Sequence, residues 1–235
     1  MVPLPLRDEN PTRRAPVVTY TLIAFNVLVW FWELSLGLDR AVYAYGAVPH
    51  WVLAGLGTDA VRIGGGEFPD VPARVTVLTS MFLHGGWLHL IGNLWFLKIF
   101  GDNVEDAMTR PRFVVFYLLC GVAAAAAQIF TSPGSNVPMV GASGAIAGVL
   151  GGYLLLYPKA RIKCLWILLI FITNIELPAA LLLGLWFLSQ FFIPTGSGIA
   201  WMAHVGGFIA GLVLVHLFVV GRPPPRRRDV QVIEW

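Results

Sequence analysis

The chain has 235 residues, of which 57% are hydrophobic and only 12% charged. A soluble domain carries about 25% charged residues, so this composition leaves too little polar surface to face water and excludes an ordinary globular protein. The net charge of +3 would suit a nucleic-acid partner in a soluble chain, but here the basic residues sit at the ends of apolar runs, where they read as topology signals and headgroup anchors.

Residues 1–16 are polar and Pro-rich, and the apolar run that follows, 17–36, is too long for the core of a cleavable signal. A mixed stretch over 37–77 holds Trp51, the glycines 64–66 and two prolines, Pro69 and Pro72. It is expected to lie in the outer membrane interface, with its glycine-rich middle reading equally well as a flexible connector. Further apolar runs begin after Gly85-Gly86 and continue to about residue 100, then cover 113–130, 140–158 and 199–220. Region 162–193 is too long for one helix: it holds either two short spans or a lead-in segment and one span.

Charge chooses between these. Six spans place 13 of the 16 Lys and Arg residues on one side and leave Arg40, Arg62 and Arg74 on the other, whereas seven would send the basic tail outward. The positive-inside rule favours six, with both termini cytoplasmic, a lead-in over 167–174 and a span over 176–192. The expected fold is an all-α, polytopic membrane protein of six transmembrane helices: a cytoplasmic segment 1–16, a membrane domain 17–220 with the long interfacial loop 37–77, and a basic cytoplasmic tail 221–235. Cys120 and Cys164 fall at different depths, so no disulfide is expected.

Polar groups inside membrane spans are costly and are functional candidates by default. Those noted are His84, His89 and Asn93 around the second run, Gln128 in the third, Ser143 in the fourth, Asn174, Glu176 and Gln190 in region five, and His204 and His216 in the sixth. Ser143 opens its run within Gly141-Ala142-Ser143-Gly144, where free backbone N–H groups and the positive end of a helix dipole favour an anionic oxygen. His204 lies about 8 Å below the same face by the 1.5 Å helical rise. Gly207 and Gly211 on run six match Gly144, Gly148 and Gly152 on run four, and such small-residue ridges let two helices approach closely enough for a Ser–His hydrogen bond. His89 and Asn93, four apart, share a face at about 5 and 10 Å depth and can donate hydrogen bonds to a developing oxyanion. No HExxH or intramembrane aspartate pair occurs, and no carboxylate is expected at the depth of the histidines. Glu176 is the one buried acid candidate, with a structural role, and His216 is read as structural too.

The Gly-Ala-Ser143-Gly motif, His204 followed by Gly-Gly and a small-residue ridge, and the His84, His89, Asn93 series together resemble the rhomboid family of intramembrane serine proteases. The likeness spans nearly the whole apolar core. It implies a rhomboid-like six-helix bundle in a prokaryotic plasma membrane and a serine endopeptidase with a Ser–His dyad and no third acid. By the resemblance Ser143 is the nucleophile and His204 the base. His89, Asn93 and the Ser143 backbone N–H form the oxyanion hole, His84 supports the loop and the active-site water, and Gly141, Gly144, Gly207, Gly211 and Arg74 support the site. Two positions depart from the family. The Trp-Arg pair of its first loop is Ala73-Arg74 here, and the aromatic four after the serine, which stacks on the catalytic histidine in some members, is Ala147. Substrates would be single-pass or multi-pass membrane proteins entering from the bilayer and cut near its outer face, with no cofactor, metal or nucleic acid. A competing expectation is a rhomboid-like protein that binds membrane clients without cutting them, and oligomeric state is left open.

Overall fold

The computed structural model describes residues 2–168, 171–194 and 196–219. The expected basic tail at 221–235 lies outside them. Among the described residues the chain runs β1 (Leu4–Asp8), α1 (Val17–Leu36), α2 (Leu38–Tyr45), α3 (Pro49–Ala54), β2 (Val61–Ile63), β3 (Gly66–Phe68), α4 (Thr76–Thr79) with a 3₁₀ turn over Ser80–Phe82, α5 (Trp87–Ala107), α6 (Arg110–Thr131), α7 (Ser143–Leu156), β4 (Arg161–Leu168), β5 (Phe171–Pro178), α8 (Ala179–Gln190) and α9 (Trp201–Phe218). Helices α1, α6 and α9 are long and apolar enough to cross a membrane; α7 and α8 are shorter apolar helices.

Helix α1 shows how such a sequence folds in an apolar solvent. Its buried residues are Thr19, Asn26, Trp30 and Glu33, on one face at helical spacing, while Phe25, Leu28 and Phe31 point outward. Polar groups turn inward because lipid offers them no hydrogen bonds. Helix α7 sits at the centre, buried from Gly144 to Tyr153. A Cβ on Gly207 would collide with the carbonyl oxygen of Gly144, and one on Gly211 with that of Gly148, so α7 and α9 touch backbone to backbone. Gly151 completes the seam against Phe208, whereas Gly152 faces Phe116 and Val215. The expected glycine ridge is therefore present but turned by one residue at its lower end.

Three expectations are corrected. The fold is mostly helical but not all-α, since β1, β4 and β5 form an antiparallel sheet in the order β1-β4-β5 and β2 and β3 a second hairpin. Second, of the lead-in expected over 167–174, residues 167–168 and 171–174 belong to the strands β4 and β5, which pair from Arg161↔Pro178 to Leu168↔Phe171, and 169–170 lie outside the described residues. The helix after it starts at Ala179 rather than 176. The reason is alternation: Ile162 and Cys164 point inward between Arg161, Lys163 and Leu165, a period of two rich in β-branched neighbours. Third, Glu176 is not buried: it is exposed on β5 and pairs with Arg161 at 3.2 Å, and Asn174 is exposed beside it.

Stretch 37–77 is a small folded unit rather than a connector. Trp51, Phe68 and Ala73 form its core, and Gly64 and Gly65, with φ of +57° and +85°, make the two-residue turn between β2 and β3. It docks on the segment leading to α7 through paired bonds between Ala47 and Met139 (3.0 and 2.8 Å) and from His50 N–H to the Ser135 carbonyl (3.1 Å).

At the opposite end of the bundle the first residues are tied down. Glu105 of α5 accepts from the N–H groups of Val18 and Thr19 at 2.9 and 2.8 Å, capping α1, which has no side-chain cap of its own. Trp95 donates to the Pro5 carbonyl, and Tyr153 and Asn103 donate to Asp8 at 2.7 and 2.8 Å. Burial, helped by the charge of Asp102 and opposed by the Tyr153 bond, pushes the Asp8 carboxyl up to about 8.

Two outcomes are expected. Gly211→Val forces α7 and α9 apart and lowers stability by at least about 2 kcal/mol, whereas Gly184→Ala, with open space around it, is tolerated; thermal melts in detergent read both. The folded chain holds the Asp8 proton more tightly than the unfolded one, so this group's stabilisation is complete below its ordinary value of 3.8 and is lost as pH rises toward 8. Melting temperature should fall from pH 5 to 9, and Asp8→Asn should flatten that fall.

Candidate active site

Ser143 is the first residue of α7 and His204 lies in the first turn of α9, so both sit at the same end of two helices in backbone contact. The Ser143 Oγ and His204 Nε2 are 2.9 Å apart. The chain enters α7 through Gly141, at φ +129°, whose N–H donates to the Ser80 carbonyl at 2.9 Å. A Cβ on Gly141 would lie 2.7 Å from His89 Nε2, so glycine is required by both backbone and neighbour. The first N–H groups of α7 have no partner in their own helix; the ladder begins with Ile146 N–H to the Ala142 carbonyl.

His89, on the first turn of α5, accepts the Gly85 N–H through Nδ1 at 3.3 Å. A neutral ring with Nδ1 accepting carries its proton on Nε2, the nitrogen beside Gly141. That N–H and the start of α7 converge on the space next to the Ser143 hydroxyl. Asn93, buried one turn on, gives one amide hydrogen to the His89 carbonyl at 2.9 Å and keeps a second.

His84 is fully buried, its ring edge-on to His89 at 5.3 Å, and neither ring nitrogen has a hydrogen-bond partner among the described residues. Its backbone N–H donates to both carboxylate oxygens of Glu33, at 3.0 and 3.1 Å. This corrects the expectation that no carboxylate lies near the histidines. Glu33 is fully buried there, occupied with backbone rather than with His204. Arg74 does not reach the site; its exposed guanidinium lies over Gly55, outside the bundle. His216 is exposed in the last turn of α9.

Three contributors have roles that the sequence did not assign. Gln190, the last residue of α8, accepts from His204 Nδ1 across 2.8 Å. Trp186, one turn earlier, places its ring 6.0 Å from the imidazole. Gln128 of α6 accepts the Met202 N–H at 3.2 Å and so caps the helix that carries His204. Both glutamines stand out in sequence as in-span polar residues, but only the packing pairs them. Glu33 had the same signal, a charge inside an otherwise apolar run. Ala147 is buried within α7 and offers His204 no ring.

An apolar helical bundle of this kind marks an integral membrane protein, and at one end of it a serine and a histidine lie within hydrogen-bond distance. The profile of the Rhomboid domain matches residues 73–221, and the chain belongs to the rhomboid family. Rhomboid proteases are serine intramembrane peptidases, and some members of the wider family are inactive. Among relatives, the rhomboid protease GluP of Bacillus subtilis is 31% identical over 83% of this chain and 34% of its own length. RHOMBOID-like protein 5 of Arabidopsis thaliana is 28% identical over 60% and 43%, and the putative rhomboid protease YdcA of Bacillus subtilis 29% over 63% and 68%. The chain thus spans less than half the length of the first two.

Gly141→Ala should push His89 off the serine. Labelling of Ser143 by a fluorophosphonate is expected to slow by about 10²-fold, in line with loss of one oxyanion donor, with the melting temperature as the folding control.

Proposed function

We propose that the protein is an intramembrane serine endopeptidase that cuts transmembrane segments of other membrane proteins near the outer membrane face. Ser143 is the nucleophile and His204 the general base. The 2.9 Å approach of Ser143 Oγ to His204 Nε2 carries the reading.

His204 Nε2 takes the hydroxyl proton as Oγ bonds to the scissile carbonyl carbon. The carbonyl oxygen becomes an oxyanion, held by the Ser143 backbone N–H, the His89 Nε2–H and the free Asn93 hydrogen. The intermediate collapses, the C–N bond breaks, and His204 returns its proton to the leaving amine. Water, deprotonated by His204, then hydrolyses the ester. The substrate helix must first unwind locally, because its carbonyls are closed into its own hydrogen-bond ladder. Membership of the rhomboid family and a site enclosed by apolar helices support a membrane protein as substrate.

In this reading α1, α5, α6, α7, α8 and α9 are the six spans of a prokaryotic plasma-membrane protein with both termini cytoplasmic. The basic residues support it: among the described residues Arg7, Arg13, Arg14, Lys98, Arg110, Arg112, Lys159, Arg161 and Lys163 belong to the cytoplasmic side. The small unit 37–77 then lies at the outer face, beside the dyad.

The test is cleavage of a reporter transmembrane substrate by the purified chain in liposomes. Ser143→Ala and His204→Ala are each expected to reduce the rate by at least about 10³-fold. Cleavage undiminished by Ser143→Ala would overturn the assignment, and a native chain that neither cuts nor takes a fluorophosphonate would instead be a non-cutting client-binding protein.

A further inference from the structure

We propose that Gln190 is a positioning residue that fixes which ring nitrogen of His204 acts as base; this rests on the dyad reading above. Gln190 is buried at the end of α8. Its amide nitrogen donates to the Trp186 carbonyl at 2.9 Å and lies 3.2 Å from the Ser189 hydroxyl. A carbonyl can only accept, so the NH₂ end of the amide faces Trp186 and the oxygen faces His204. That oxygen, 2.8 Å from Nδ1, can likewise only accept, so Nδ1 carries the ring hydrogen. A neutral imidazole has one N–H. Nε2 therefore presents a lone pair to the Ser143 hydroxyl at 2.9 Å, which is the state a general base requires. One chain of hydrogen bonds thus runs from the Trp186 carbonyl of α8 through Gln190 and His204 to the nucleophile.

Trp186 supports the same arrangement from the same helix face, four residues earlier. Its ring lies 6.0 Å from the imidazole, tilted by 39°, and is itself packed against Phe208 of α9. The ring is thus held in plane by an aromatic of α8, in the absence of one at Ala147, and in tautomer by an amide. Both residues reach His204 across the α8–α9 interface, so the base is set only while α8 is seated against α9. Leu181, Leu185 and Leu188 leave the other side of α8 exposed.

A neutral amide also suits the location. A carboxylate there would have to be desolvated as a charge, whereas the amide satisfies all its partners without one.

The experiment uses the full chain in liposomes with a reporter transmembrane substrate, Ser143→Ala as the zero, and ring ¹⁵N NMR of His204 as a readout independent of activity. Gln190→Met keeps length and shape but removes the acceptor. It is expected to lower kcat by about 10²-fold with KM within about twofold, and to convert the Nδ1–H tautomer to a mixture. Gln190→Glu, protonated in this apolar site, can donate its hydroxyl to the Trp186 carbonyl and offer its carbonyl oxygen to Nδ1; it is expected to bring kcat back to within about fivefold of native and to restore the Nδ1–H signal. The proposal is overturned if Gln190→Met, folded by its melting temperature, keeps kcat within threefold and the native tautomer. It is equally overturned if a folded Gln190→Glu is as slow as Gln190→Met. A native chain no faster than Ser143→Ala would sink the dyad reading instead, while the NMR arm would still decide the role of Gln190.

Discussion

The backbone contact between α7 and α9 is the constraint on which the rest of the site depends. Gly207 and Gly211 leave no room for a Cβ against the Gly144 and Gly148 carbonyls, so the two helices lie as close as helices can. Only at that spacing do a short serine and a histidine on adjacent helices meet at 2.9 Å. In lipid there is little hydrophobic drive to bring helices together, and close packing of small residues has to supply the association instead. Cys120 and Ala124 of α6 extend the same small-residue surface to the third helix. Stability and chemistry therefore rest on one seam, and a side chain added there costs both.

A second rule governs the polar groups. Helix ends in an apolar medium cannot turn to water for their unpaired N–H groups, and here side chains from other helices satisfy them. Glu105 caps α1, Gln128 caps α9, and Glu33 holds the His84 N–H where the chain turns into α5. Each of these bonds crosses from one element to another, so each also fixes relative helix position. The start of α7 has no such capping side chain among the described residues, which leaves its first N–H groups for a transient anion.

Much of this was legible in sequence, and the failures have physical causes. Apolar length located α1, α6 and α9, and the glycine spacing on runs four and six anticipated the seam because close approach has a simple requirement: no Cβ. Region 162–193 misled because its hairpin is as apolar as a membrane segment. The period of two in Ile162 and Cys164 was the available signal, and composition masked it. Stretch 37–77 misled in the other direction: its glycines read as slack, but at Gly64 and Gly65 they serve a tight turn that needs positive φ. Partner choice was least legible. Glu33 and Gln190 are both polar residues in apolar runs, yet one binds backbone and the other a histidine. That distinction arises only from how α1 and α8 are rotated about their axes.

The electrostatics of the site then follow from what surrounds His204. Its partners are a hydroxyl and an amide, and the nearby carboxylate of Glu33 is occupied by the His84 N–H. Among the described residues no carboxylate is bonded to the ring, so in the proposed reaction the proton it takes up comes from the serine. In the proposed reaction that transfer creates an imidazolium and an oxyanion together, within a few ångströms of each other. At an effective dielectric near 20, opposite charges about 4 Å apart attract by about 4 kcal/mol. Each charge is therefore stabilised by the other and by fixed dipoles during the step that makes them. A third acid would add stabilisation, but it would carry the cost of a charge buried throughout the resting state. An apolar bundle makes that cost high, and a buried amide that sets the tautomer is the arrangement that avoids it.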